Sequence, residues 1–276
     1  MAPLTQKQKT AMTARLIDFT QATEIDAQRL LKNHKWVLDH AVDAFWSDPV
    51  AQANARKPAD TATTNNLNKA FDSFAGQGID LTDYDGTIEY CTKLEVDPTD
   101  PIMLAVAQLC SAPSMGTFER KGYLEGWKAL GKETIAQQKA YIPSLRDEMS
   151  RDMHLYRRIY SFTFDYAKVE GGRVMALETA IELWQLLLPL APAHFFEPHS
   201  MFRPLQGSTD MTQGLQAWTT YLTEKTKNRP ISKDVWSQFL DFASICDAKC
   251  ESYEDDGAWP GLIDDFVESS KAMDTA

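Results

Sequence analysis

"KDVWSQFLDFASICDAKCESY", residues 233 to 253, decides the fold class. Val235, Trp236, Phe239, Leu240, Phe242 and Ala243 recur at intervals of three and four, the period of one helix face and not the two-residue alternation of a strand. Read as one helix through to Tyr253, the stretch also puts Cys246 and Cys250 on a shared face. The same spacing extends outward to "GLQAWTTYLTEKT", "LETAIELWQLLLPL", "LYRRIYSFTFDYAKV" and "TIAQQKAYIPSLRDEMS". Further toward the N-terminus it continues in "RKGYLEGWKALG", "PIMLAVAQLCSA", "DGTIEYCTKLEV" and "LNKAFDSFAG". No run alternates like a strand between hairpin turns, so the chain is expected to be all-α.

Residues 7 to 48 carry three shorter helical pieces, "QKTAMTARLIDFTQ", "EIDAQRLLKNH" and "VLDHAVDAFWSDP". They predict a small three-helix domain over 1–49. Residues 50–66 are rich in Ala, Thr and Asn and poor in large apolar side chains, the composition of a linker. A larger helical domain then fills 67–276. Within it, "APAHFFEPHSMFRPLQGSTDMTQG", about residues 191 to 214, lacks periodicity and reads as a long loop, an insertion or a lid.

The 276 residues are 43% hydrophobic and 11% aromatic, enough to bury a sizeable core. Lys and Arg total 28 against 39 Asp and Glu, a net charge of −11. Such a chain repels nucleic acid and anionic membranes and favours basic protein partners. No run approaches the ~18 apolar residues of a membrane span, and "MAPLTQKQKT" lacks the apolar core of a signal peptide, so an intracellular soluble protein is expected. Cys91, Cys110, Cys246 and Cys250 stand in apolar contexts that suit reduced, packed thiols. No basic import cluster chooses between nucleus and cytoplasm, and both are expected.

"DLTDYDGTIEYC" looks like a calcium loop, but with Gly86 as its sixth position the first falls on Leu81 and the twelfth on Thr92. Both of those ligands are missing, which favours a degenerate EF-hand-like helix-loop-helix kept for its shape. "MGTFERKGYLEGW" would be a second, with too few acids for calcium. His34, His40, His154, His194 and His199 form no zinc arrangement, and the chain has no GxSxG, phosphate loop or dinucleotide fingerprint. Neither a metal, a cofactor nor a catalytic nucleophile is expected.

"DDGAWPGLIDDFVE", residues 255 to 268, joins acids to apolar residues. It predicts a last helix with Pro260 near its first turn and Leu262, Ile263, Phe266 and Val267 facing inward. Asp255, Asp256, Asp265 and Glu268 are left to make either a dipole-compatible helix start or an acidic recognition surface.

Together, "ISKDVWSQFLDF", "YEDDGAWPGLIDDFVE", "YSFTFDYAK" and "LETAIELW" resemble the defective-in-cullin-neddylation family over nearly the whole chain. The resemblance implies a ubiquitin-associated-like N-terminal domain before an all-helical potentiating-neddylation domain. It implies a non-covalent scaffold ligase that brings a cullin C-terminal region to the N-terminally acetylated neddylation-conjugating enzyme, with ubiquitin or the ubiquitin-like modifier as a further partner. A monomer is expected. The matching acidic patch is Asp234, Ala258 and Asp264, extended by Asp265; Asp234 could equally cap a helix starting near Val235. The implied pocket for the acetylated peptide is Tyr84, Thr87, Met103, Val106, Met115, Phe118, Tyr166, Leu183 and Leu186, each of which could also be core. A ubiquitin surface would use Phe19, Thr20 and Phe45. The rival readings are a calcium-responsive helix-loop-helix adaptor and a ubiquitin-binding shuttle.

Overall fold

The computed structural model describes residues 5–20, 22–169, 171–204, 212–253 and 259–274. Among them the architecture is all-α, as the spacing of apolar residues predicts. The chain divides into two compact units, Met1–Lys69 and Ala70–Ala276.

In the first unit, α1 (Gln6–Thr20), α2 (Glu24–Asn33) and α3 (Leu38–Trp46) enclose Leu16, Ala27, Leu30, Leu31, Ala41 and Phe45. Thr23 caps α2 by accepting the Asp26 N–H at 3.1 Å. Lys35 and Trp36 both take the left-handed backbone, which turns the chain sharply into α3.

Residues 50–66, read from their composition as a linker, have a helical backbone and lie within α4 (Pro49–Ala75). The stretch carries five Ala and no Gly, but it also holds Pro58, three Thr and three Asn, so neither an apolar stripe nor propensity marks this helix in the sequence.

The second unit continues with α5 (Tyr84–Leu94), α6 (Ile102–Leu109), α7 (Arg120–Ala129), α8 (Ile135–Arg151) and α9 (Met153–Ala167). It ends with α10 (Leu177–Leu187), α11 (Gln213–Lys225), α12 (Lys233–Ile245) and α13 (Gly261–Asp274). The loops before α5 and α7 are tied together by an antiparallel bridge between Leu81 and Glu119. Thr82 reinforces it: its N–H donates to the Phe118 carbonyl at 2.9 Å and its hydroxyl accepts the Phe118 N–H at 2.7 Å. The loops before α10 and α12 are joined likewise by β1 (Val174–Met175) and β2 (Ile231–Ser232), antiparallel with Met175 opposite Ile231.

Gly86 does not turn a calcium loop. The helix has already begun at Tyr84, and Asp83 is its N-cap, accepting the Gly86 N–H at 2.8 Å. Among the described residues no group of His, Cys, Asp and Glu is placed to hold a metal ion.

Two buried networks carry the core. Trp236 stacks on Tyr160 and Trp184 at 4.6 and 5.2 Å between ring centroids. Its indole N–H donates to the Tyr160 carbonyl, while the Tyr160 hydroxyl donates to the Trp236 carbonyl, both at 2.9 Å. Farther along the chain's first half, the Gln138 side-chain oxygen accepts the hydroxyls of Tyr90 and Tyr123 at 3.0 and 2.9 Å. These buried polar groups are all partnered, which is the condition for their not destabilising the interior.

α7 lies almost against the end of α6, because Gly122 faces the Cys110 carbonyl. A Cβ there would stand 2.1 Å from that oxygen. Gly122→Ala is therefore expected to separate the two helices and lower stability by about 3 kcal/mol. A denaturant midpoint unchanged from wild type would refute this close approach.

The segment from Ala191 to Pro204, part of the stretch read as an insertion or a lid, is tied down by hydrogen bonds. It crosses the end of α12, where the last helical carbonyls have no partner within the helix. The Ser200 hydroxyl donates to the Ala243 carbonyl at 2.6 Å, the Glu197 N–H to Ser244 at 2.8 Å and the Met201 N–H to Cys246 at 2.9 Å. Phe196 and Phe202 are buried beneath it. Residues 205–211 lie outside the described residues. α12 accordingly stops at Ile245, and Cys246 and Cys250 sit in the turn beyond it, not on a shared helix face.

Candidate functional site

Among the concave surfaces of the second unit, two gather residues expected from the sequence to form sites. The first is a groove of about 550 Å³ bounded by the β2–α12 corner and the start of α13, with Asp234 and Asp265 both on its wall. Ser232, not Asp234, caps α12, its hydroxyl accepting the Val235 N–H at 3.2 Å. Asp234 is one position into the helix, exposed, where the helix dipole favours a carboxylate. Its other contact is the Gln238 amide, which donates to it at 2.9 Å. The neighbouring Lys233 reaches away to Asp165 at 2.6 Å, and that bond is the main cause of the depressed Asp165 pKa. Lys233 is thereby drawn to another carboxylate instead of Asp234.

α13 presents two faces as its sequence predicts. Leu262, Ile263, Phe266 and Val267 are buried, while Asp265 and Glu268 are exposed. Asp264 behaves differently from its neighbour: it is half-buried and accepts the Tyr253 hydroxyl, and it does not line the groove. Arg229 lines the same groove, so the wall is mixed in charge with the acids on its helical side. Ala258, with Asp255 and Asp256, lies outside the described residues.

The second surface is a cavity of about 360 Å³. Tyr84, Thr87, Met103, Met115, Phe118, Tyr166, Leu183 and Leu186 all line it, although they come from stretches spread over a hundred positions of the chain. Val106 does not. It is fully buried in α6, a helix whose residues from Ile102 to Ala107 are all buried, so apolar spacing carries no information on which side meets the cavity. Ile88 and Cys91 also belong to the lining, as do Leu104, Gly116 and the turn from Pro98 to Pro101, none of them in the expected set. Continuing the α5 stripe of Tyr84 and Thr87 by helical spacing would have found the first two.

The lining is held by its own polar groups. The Thr87 hydroxyl donates to the Gly116 carbonyl at 2.8 Å, fixing the loop that carries Met115. Gly116 takes the left-handed backbone with the Tyr84 ring beside it. Asp100, the carboxylate at the rim, is engaged twice: it accepts the Ile102 N–H at 2.9 Å and the Arg146 guanidinium at 2.7 Å. Burial pushes the Cys91 thiol up to about 11, so it is neutral here. Such a cavity accepts an uncharged apolar group and disfavours an unpartnered ammonium.

On the first unit, Phe19 is 64% and Trp46 57% exposed, but Phe45 is 2% exposed and part of the core. The same turn of α3 that carries Trp46 outward carries Phe45 inward. Thr20 is buried too, its hydroxyl donating to the Leu16 carbonyl at 2.6 Å. Of the three residues assigned to a ubiquitin surface, Phe19 alone presents its side chain to solvent.

Residues 137–269, which include the whole acidic groove side of α12 and α13, match the family described as cullin binding. The chain is similar along its length to "Defective in cullin neddylation protein 1" of Mycosarcoma maydis, at 32% identity over 97% of this chain and 98% of that protein. The chain belongs to the defective-in-cullin-neddylation family. A second relative of the same name, from Yarrowia lipolytica, is 33% identical over 93% of this chain and 95% of its own length. "DCN1-like protein 3" of Homo sapiens is 28% identical over 79% of this chain and 66% of its own. The family resemblance carried by the motifs around Asp234 and Trp259 thus extends to nearly the full chain.

Proposed function

We propose that this chain binds a cullin in the neddylation pathway and acts as a non-covalent scaffold, docking the cullin in the groove of Asp234 and Asp265 and the conjugating enzyme's acetylated N-terminus in the apolar cavity. The observation that carries this reading is the pairing, on one helical unit of a cullin-neddylation family member, of an acid-walled groove with an apolar cavity. Acids on rigid helices complement a basic cullin surface and steer its approach. An acetylated amino terminus has no ammonium charge to desolvate, so its first side chain can enter the cavity. Holding both reactants raises their effective concentration and restricts the angle of attack, while the conjugating enzyme supplies the reactive thioester. A partially exposed Phe19 and Trp46 leave the first unit able to meet ubiquitin or the modifier, as a separate contact.

Cullin neddylation in a purified system tests the scaffold. Wild type should accelerate it, and Leu186→Asp should not. Leu186 lines the cavity while remaining 40% exposed, so the substitution should spare the fold. Titration of the conjugating enzyme's acetylated N-terminal peptide should show affinity lowered at least about 10-fold in Leu186→Asp, and a similar loss when wild type meets the unacetylated peptide. Equal affinity for both peptides would rule out the cavity as their receptor.

A further inference from the structure

Cys246 and Cys250 serve neither surface, yet the turn after α12 brings their sulfurs to 3.5 Å with both residues fully buried. The turn is wound around Asp247, whose carboxylate accepts the N–H groups of Lys249, Glu251 and Ser252 at 2.8, 3.2 and 2.7 Å. Cys250 has a left-handed backbone, φ 53°, and its chain neighbours Lys249 and Glu251 are exposed. A disulfide bond is about 2.05 Å long, so closing the pair asks for side-chain rotation and a small movement of a surface turn. Among the described residues no third His, Cys, Asp or Glu joins the two thiols in a group that could hold a metal ion. Two thiols in contact suit covalent coupling, and two thiols by themselves make a poor tetrahedral metal site.

We propose that Cys246 and Cys250 form a reversible intramolecular disulfide, a redox modification site in the turn that leads from α12 to Tyr253. The oxidant is a peroxide. With the turn opened, the Cys250 thiolate attacks one peroxide oxygen, the O–O bond breaks and hydroxide leaves, giving a sulfenic acid. The Cys246 thiolate then attacks that sulfur, forming the S–S bond and expelling a second hydroxide. The two thiol protons convert both hydroxides to water, and the two electrons lost by the sulfurs reduce the peroxide. A dithiol reductant restores the pair through a mixed disulfide. The neighbouring thiol and burial both hold Cys246 protonated, which makes opening of the turn the controlling event.

Tyr253, three residues beyond Cys250, donates its hydroxyl to Asp264 on α13. Oxidation therefore fixes the chain that anchors α13's first turn. Its effect on cullin affinity rests on the docking reading above; formation of the bond does not.

The test treats the native full-length chain with hydrogen peroxide, then denatures it, alkylates remaining thiols and maps the peptides by mass. Of the four cysteines, two should escape alkylation, recovered as one Cys246–Cys250 linked peptide lighter by two hydrogens, and dithiothreitol should return all four. Recovery of Cys246 and Cys250 as alkylated thiols, as sulfinic acids, or in intermolecular links, under peroxide that fully oxidises glutathione, would overturn the proposal. Cys250→Ser should give no link and no peroxide-dependent change in cullin affinity. A linked wild type with unchanged affinity would overturn the coupling to α13. If charge reversal in the groove also leaves cullin binding intact, the docking reading fails while the mapped bond stands.

Discussion

Replacing Asp234 and Asp265 together by Lys should weaken binding of a cullin C-terminal region by at least about 100-fold, or about 2.7 kcal/mol, in isothermal titration at low salt. The two carboxylates stand on separate helices but face one groove. Reversing both places like charges against a basic partner and cancels the dipole advantage at the start of α12. Neither side chain is buried, so stability should change little. The acetylated peptide should bind the double variant as it binds wild type, because the cavity is formed by other helices. The deficit should shrink as salt is raised, since exposed charges are screened. A loss of less than about threefold would move the cullin elsewhere.

Trp236→Ala should destabilise the second unit by about 4 kcal/mol. The indole is fully buried between the rings of Tyr160 and Trp184, so its loss leaves a large void among aromatic faces. It also leaves the Tyr160 carbonyl without the indole N–H that donates to it. Differential scanning calorimetry should register a fall of roughly 10 °C in the melting temperature. Trp236→Phe should recover part of this loss by filling the void, without restoring the hydrogen bond. A melting temperature within about 2 °C of wild type in the Ala variant would contradict this account of the core.

The helices of this chain were legible where one face is buried and the other wet. α13 is the clearest case: Leu262, Ile263, Phe266 and Val267 repeat at helical spacing, and Pro260 marks the start. Legibility failed where that contrast is missing. α4 between residues 50 and 66 has no stripe to detect, and it runs through Pro58 and several Thr and Asn that propensity alone disfavours in a helix. α6 is buried on every side, so Met103 and Val106 looked equally suited to the cavity although only Met103 reaches it. The end of α12 was hidden for another reason. The sequence continues in helical spacing through Cys250, while the carbonyls at the end of α12 are met by donors from residues 197 to 201 and the turn beyond is organised by Asp247, contacts that helical spacing does not show.

The acids posed a problem of orientation. Asp264 and Asp265 are adjacent in sequence, yet successive residues on a helix point about 100° apart. One accepts a hydrogen bond from Tyr253 and the other faces the groove. Chemistry was visible in the letters "DD", but the division of labour between them depends on Tyr253, which sits 11 residues before Asp264.

The capping of α12 by a segment some forty residues earlier joins two stretches that a parts list would treat separately. Its backbone amides at Glu197 and Met201 are shielded by a helix end, so they exchange hydrogen with solvent only when that end lets go. A protease probing this apparently irregular stretch would meet the opening equilibrium of α12 first. Shortening the stretch by even one residue would shift its donors out of line and fray the helix from the end nearest Cys246. A region without regular secondary structure here acts as a bracket, and its tolerance to insertion is that of the helix it holds.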